Sequence, residues 1–171
     1  ISATTRAPRE GEVDGREYYF KSVEEFRNLI DYNGFIEWAQ YVDNYYGTPR
    51  KFVEQEMAQG HDVILEIAVQ GAMNITKQYK DAVLIFLTAP DANSLRERLA
   101  GRGTETEEVI AKRMRRAKEE SLDMDVYDYI VVNDDLDACV STVNSIIVST
   151  KCLKANNLKF MEDIKEELQK Q

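Results

Sequence analysis

Three uninterrupted apolar runs stand out along the chain: Asp62-Val-Ile-Leu-Glu66 with Ile67, Ala82-Val-Leu-Ile-Phe-Leu87, and Tyr129-Ile-Val-Val132. Short runs of this kind predict strands buried on both faces, as in a parallel sheet. A helical pattern follows each of them, over Gln70 to Tyr79, Ala92 to Ala100, and Leu136 to about Thr150. That alternation predicts an α/β sheet with crossover helices. The earlier part of the chain reads differently. Short strand-like pieces at Tyr18–Phe20, Phe35–Val42 and Asn44–Tyr46 surround one helix, about Val23 to Tyr32. Ser22 can cap that helix, with Glu25 three residues on to complete a capping box, and Gly34 suits its C-terminal end. This predicts a small α+β insertion in a larger α/β core.

Helix propensity returns from Thr104 to about Leu122, where Thr104 and Glu107 offer a second capping box. Gly101 and Gly103 give the chain hinge-like freedom just before it. The tail, Leu153 to Gln171, carries Leu158, Met161, Ile164 and Leu168 at helical spacing and predicts an amphipathic helix.

The 171 residues suit one globular domain, and a net charge of −9 opposes general nucleic-acid binding, which depends on neutralising phosphates with Lys and Arg. No apolar run approaches the roughly 18 residues of a membrane span, and no signal-peptide pattern opens the sequence. Cys139 and Cys152 have no metal-ligand spacing and read as reduced thiols of a cytoplasmic protein. Any arginine that binds phosphate must therefore act locally, against an acidic background. That favours a small anionic ligand.

The first fifteen residues, ISATTRAPREGEVDG, carry such arginines. Arg6 and Arg9 lie three apart, with Pro8 between them, beside the hydroxyls of Ser2, Thr4 and Thr5. Guanidinium forks suit phosphate oxygens, and nearby hydroxyls can add hydrogen bonds. Further on come Phe35-Ile-Glu-Trp-Ala39 and Asn44-Tyr-Tyr-Gly-Thr-Pro49. A glutamate within an alternating apolar strand is costly to bury without a partner. Guanine would suit Glu37, because its N1–H and 2-amino donors stand side by side and one carboxylate can accept both. Adenine offers neither, and an unpaired Glu37 would then cost roughly 1–3 kcal/mol. In isolation, Glu37 reads as a solvent-facing strand residue, Tyr45 and Tyr46 as core or rim aromatics, and Gly47-Thr48 as a turn.

In combination the motifs say more. The order S-x-T-T-R-x-P-R-x-G-E-x-D-G-x-x-Y-x-F, then F-I-E-W-A, then N-Y-Y-G-T, resembles the guanylate kinase family closely. Ile64 to Gly71, Arg98 to Glu108 and Tyr127 to Asp134 extend the resemblance, which leaves only the C-terminal tail without a diagnostic match. It implies an α/β, P-loop kinase-type parallel sheet core with an inserted small α+β GMP-binding subdomain at about 2–60. The core would take up about 61–101 and 119–171, with a helical lid at about 102–118.

The resemblance also implies roles. Arg6 and Arg9 would clamp the GMP phosphate, helped by Tyr18 and Tyr46. Glu37 would read the guanine donors, while Ser2 and Thr48 would bond its acceptor edge. Glu66 would touch Mg²⁺ indirectly or orient GMP. Arg98, Arg102 and Arg113 would contact the ATP phosphates and the transferring group, and Asn133 would lie beside the ATP base or lid. The other reading of these arginines is a salt-bridged helix face, since Glu105, Glu107, Glu108, Glu119 and Glu120 are near. ATP and GMP are thus the expected small-molecule partners, with no nucleic acid and no membrane.

Two departures qualify the match. Ala68 stands where the family usually has an aspartate that helps to hold the guanine edge. No G-x-x-x-x-G-K-[ST] occurs, and in guanylate kinases that phosphate loop lies just upstream of the segment matching Ile1. The residues given are thus expected to be inactive without it. Scaffold proteins carry guanylate-kinase-like domains that reuse the GMP cleft for phosphorylated partners, but the full set of GMP and lid residues here favours an enzyme. A kinase for another nucleoside monophosphate is disfavoured by Glu37 and Thr48.

Overall fold

The computed structural model describes residues 1–101 and 106–170, which form two compact units, Ile1–Ala82 and Val83–Gln171. In the first unit, strand β1 (Ala3–Thr4) and strand β2 (Tyr19–Phe20) precede helix α1 (Val23–Asp31). Strands β3 (Phe35–Tyr41) and β4 (Asn44–Pro49), then helices α2 (Arg50–Ala58) and α3 (Val69–Gln78), follow. The sheet runs β2-β1-β4-β3, parallel between β1 and β2 and antiparallel elsewhere.

Helix α1 starts as its sequence predicts. Ser22 accepts from the Glu25 N–H and the Glu25 carboxylate accepts from the Ser22 N–H, which closes the capping box. Its end differs from expectation. The left-handed residue is Asn33, at φ 53°, and not Gly34. The Asn33 N–H donates to Ile30 and the Gly34 N–H to Leu29, the double closure of a Schellman motif. Gly34 is still needed there, because a β-carbon would stand 3.0 Å from the Leu29 carbonyl oxygen.

The sheet separates two apolar clusters. Phe26 of α1 stacks on Phe35 and Tyr45 on one side, with ring centroids 4.5 and 5.6 Å apart. On the other side, Ile36 packs with Val53 of α2 and Ile75 of α3. The pairing slips between Phe35 and Glu37, so that Ile36 is an extra residue on β3. Such a bulge turns neighbouring residues away from strict alternation. Ile36 and Glu37, adjacent in sequence, both face α3 as a result.

The segment 61–68 corrects one expectation. It forms no regular strand and pairs with none among the described residues. Its alternation survives, with Val63, Leu65 and Ile67 packed on the Ile36 cluster and Ile64 turned outward at 75% exposure. The apolar pattern dictated which side chains are covered; a ladder also needs a neighbouring backbone. Helix α2, which has no counterpart in the sequence reading, begins after Pro49 with no side-chain cap and buries only Val53. It shows neither a start signal nor an apolar stripe wide enough to be recognised.

The second unit is built on the parallel pair β5 (Ile85–Thr88) and β6 (Tyr129–Val132). Helices α4 (Ala92–Ala100) and α5 (Glu107–Glu120) and a 3₁₀ turn at Ser121–Val126 connect them. Helix α6 (Leu136–Lys151) packs Cys139 and Ile146 onto Val131 of β6. A 3₁₀ turn and helix α7 (Leu158–Gln169) follow, where the sequence suggested one longer helix. Asp91, Thr106 and Asp135 cap α4, α5 and α6. The α5 cap is therefore Thr106, bonded to the Val109 N–H, two residues beyond the expected start; Thr104 lies outside the described residues. Cys139 is buried and Cys152 exposed, both as free thiols.

Candidate nucleotide site

In the first unit, the register of β3 on β4 brings three of the expected GMP residues together. Glu37 is the direct partner of Thr48, and Ala39 that of Tyr46. Side chains opposite one another on antiparallel strands share a face, so Glu37, Thr48 and Tyr46 lie side by side. Glu37 is only 6% exposed and Thr48 5%. The Thr48 Oγ1 hydroxyl donates to Glu37 Oε1 at 2.6 Å. The solvent-facing reading of Glu37 is therefore overturned. Burial raises its pKa above the ordinary glutamate range, and the hydrogen bond from Thr48 holds part of that rise back. The result is a desolvated carboxylate with one oxygen committed to the protein and a second facing Gly71 of α3.

The phosphate end lies along β1, β2 and the loop between them. Arg6 makes a two-pronged pair with Glu12, Nη1 to Oε2 and Nη2 to Oε1, each at 2.9 Å. Its guanidinium stands 5.5 Å from the Tyr18 ring centroid and 5.7 Å from that of Phe20. Glu12, and to a lesser degree Tyr46, raise the Arg6 pKa further, while burial opposes them. Glu12 Oε2 also accepts from the Arg9 backbone N–H at 2.7 Å. Arg6 and Arg9 together hold the Glu12 carboxyl below its usual range. Glu12 thus ties both arginines, a role that the sequence reading missed. Its signal was present in R-x-P-R-x-G-E, where the acid falls six residues after Arg6.

Tyr18 and Tyr46 meet edge to face, with centroids 6.2 Å apart. Burial raises the Tyr18 pKa, and Tyr46 and then the charge of the exposed Glu66 add to the rise. Ser2 is half-buried, and its carbonyl accepts from the Tyr19 N–H. One expected hydroxyl donor is committed elsewhere. Thr4 is fully buried and donates to the Tyr45 carbonyl, while Thr5 accepts from the Tyr45 N–H and keeps its own proton. Both side chains help to join the β1 segment to β4. Tyr45 proves to be a core residue, stacked on Phe26.

In the second unit, Arg98 stands in the last turn of α4, exposed. Its Nη1 donates to the Asn133 carbonyl at 2.6 Å and its Nη2 to the Asp134 carbonyl at 3.4 Å. These bonds tie α4 to the turn after β6. The structure therefore joins Arg98 to Asn133 through its backbone. Arg113 is half-buried on α5, and Arg102 lies outside the described residues. Salt bridges line these helices: Arg96 pairs with Glu107, and Arg116 with Glu119 and Glu120.

A buried carboxylate held by Thr48, and two arginines tied by Glu12 on the β1–β2 loop of the same unit, have the chemistry that suits a phosphorylated ligand. The family model for guanylate kinase matches residues 1–150. A guanylate kinase from Caldanaerobacter subterraneus subsp. tengcongensis is 46% identical over 167 residues, covering 98% of this chain and 81% of that protein. One from Streptococcus thermophilus is 53% identical over 147 residues, covering 86% and 70%. The crystal structure of guanylate kinase from Anaplasma phagocytophilum superposes with a TM-score of 0.79 at 31% identity, covering 91% of this chain and 77% of that one. The chain belongs to the guanylate kinase family.

Proposed function

We propose that the face formed by β3 and β4 reads the base of GMP and that the β1–β2 loop holds its phosphate. The full-length protein is an ATP:GMP phosphotransferase, the activity of its family. A GMP phosphate oxygen attacks the γ-phosphorus of ATP in line. A new P–O bond forms as the bond to the bridging oxygen breaks, and ADP and GDP result. The observation that carries the base-reading proposal is the buried Glu37–Thr48 pair. A carboxylate that has already lost its water gains most from a ligand with two adjacent donors, and loses most from one with none.

Around that pair, Arg6 and Arg9 clamp the phosphate of GMP with the hydroxyls of Tyr18 and Tyr46. Ser2 and Thr48 meet the acceptor edge of guanine. Arg98, Arg102 and Arg113 neutralise charge on the ATP phosphates as the γ-phosphoryl group moves, and Asn133 lies beside the ATP base. Mg²⁺ would be held through the phosphates of the nucleotide, with the exposed Glu66 carboxylate acting on it only indirectly or else orienting GMP. Among the described residues no cluster of three His, Cys, Asp or Glu forms a cage. When bound, the ion spreads the charge of the phosphates.

We divide the chain into a GMP-binding subdomain at about 2–60, a core at about 61–101 and 119–171, and a lid at about 102–118 whose closure excludes water. No helix of the described residues is long and apolar enough to cross a membrane. The free thiols fit a reducing compartment, and we place the reaction in the cytoplasm.

A coupled assay of ADP release by the full-length protein tests both levels. Turnover that depends on GMP is expected, with AMP a poor substitute. An absence of GMP-dependent turnover would overturn the kinase reading, and equal turnover with AMP would overturn the role of Glu37.

A further inference from the structure

The side of Glu37 away from Thr48 is closed by bare backbone. Oε2 of Glu37 lies over Gly71, the third residue of α3. A β-carbon at position 71 would overlap Oε2 and stand 3.2 Å from the carboxyl carbon, with the Ile67 Cβ at 3.5 Å behind it. The helix itself does not ask for glycine here. Gly71 is not among the residues with positive φ, it is buried in a regular helix, and alanine is the better helix former. The requirement comes from the facing strand, from Glu37.

A clash with the tip of a long side chain is usually relieved when that tip swings away. Glu37 has no such freedom. It is buried, its other oxygen is held at 2.6 Å by Thr48, and Ile36 and Ala39 beside it are buried too. A methyl group at position 71 would break the Thr48 bond or turn the plane of the carboxylate. The setting of α3 adds to this. Its N-cap is Ala68, which has no side-chain acceptor, so the first turn keeps its N–H groups for others. A negative charge set against that turn also lies at the favourable end of the helix dipole.

We propose that Gly71 is a positioning residue for guanine recognition: its missing side chain fixes where the Glu37 carboxylate stands, and hence how it meets two adjacent donors on a purine. Gly71 acts through Glu37 and need touch no substrate. The inference rests on the reading that Glu37 receives the guanine donors.

The test is steady-state kinetics of the full-length protein and of Gly71→Ala, Glu37→Ala and the double variant, with GMP and AMP as acceptors, alongside thermal melting without ligand. Gly71→Ala is expected to raise the KM for GMP roughly tenfold or more and to narrow the preference for GMP over AMP. Its KM for ATP should stay within about twofold, and its melting temperature should fall, because disturbing the buried Thr48–Glu37 bond outweighs the gain in helix propensity. In the Glu37→Ala background, the same glycine substitution should change the KM for GMP by less than about twofold, because no carboxylate remains to displace.

An unchanged KM in Gly71→Ala, with a raised KM in Glu37→Ala, would overturn the positioning role and leave the reading of Glu37 standing. Unchanged guanine preference in Glu37→Ala would overturn that reading, and this inference with it. Losses that add in the double variant would show Gly71 acting independently, which also overturns the proposal. If Gly71→Ala melts early, recovery in the double variant would assign the loss to overlap with the carboxylate, and no recovery would count against it.

Discussion

Glu37 and Thr48 are joined to each other inside a sheet packed on both sides, whereas Arg98 and Arg113 project from helices at or near the surface of the second unit. Arg98 is held by two backbone carbonyls, and a guanidinium can exchange those for other acceptors without being desolvated first. The contrast follows the two tasks. Telling guanine from adenine needs a carboxylate that cannot fall back on water, since a hydrated group would accept either base at little cost. Neutralising phosphate charge needs cations that arrive and leave with the nucleotide, and exposure costs them little selectivity.

The largest effect expected from this contrast lies in the second unit. Arg98→Met should lower kcat by roughly 10²–10³, as loss of one charge-stabilising donor does elsewhere, with the KM for GMP nearly unchanged. A change confined to KM would erase the distinction. Next, Arg6→Met should raise the KM for GMP by roughly ten- to a hundredfold through loss of a charge-assisted fork on the phosphate. Comparable losses with GMP and with a guanine nucleoside lacking phosphate, measured by binding calorimetry, would contradict that role. Glu37→Gln should then reduce the preference for GMP over AMP by about tenfold, because its amide sets donors against donors, with little loss of melting temperature. A large stability loss with selectivity intact would reverse that assignment.

Two smaller effects concern stability alone. Ser22→Ala should lower the stability of the first unit by about 1 kcal/mol through loss of the capping box, and leave kcat and KM unchanged. The smallest involves pH. Because burial raises the Glu37 pKa, the carboxylate's contribution favours folding below the ordinary glutamate range and is lost as pH rises through the raised value. Without ligand, Glu37→Gln should therefore gain on the parent protein as pH rises through that window toward neutrality. Below it the gap should vanish, and denaturant titrations at several pH values would show whether it does.

Local signals were legible wherever one residue type decides a geometry. Ser22 and Glu25 begin α1, α4 spans the predicted Ala92–Ala100, and Tyr129–Val132 forms β6 as its apolar run predicts. What failed depended on partners. Residues 62–67 have the composition of a strand but no described neighbour to pair with, and α2 has neither a capping side chain nor a broad apolar face. Within the candidate site, Arg6, Glu37 and Thr48 were readable as types. That Thr4 and Thr5 help to join the β1 segment to β4, and that Glu12 grips Arg6, was not, because hydrogen-bond partners forty residues away or across a loop leave no period in the sequence.

The chain's order of residues by itself determined the chemical inventory: two arginines near the start, one carboxylate in an apolar strand, arginines on later helices, and the family to which these belong. Only the tertiary structure decided what that carboxylate faces. A one-residue bulge at Ile36 turns Glu37 toward α3, β4 supplies Thr48, and Gly71 leaves the space in which the charge is held. Burial is a property of neighbours brought from elsewhere in the chain, and a residue's own identity does not contain it.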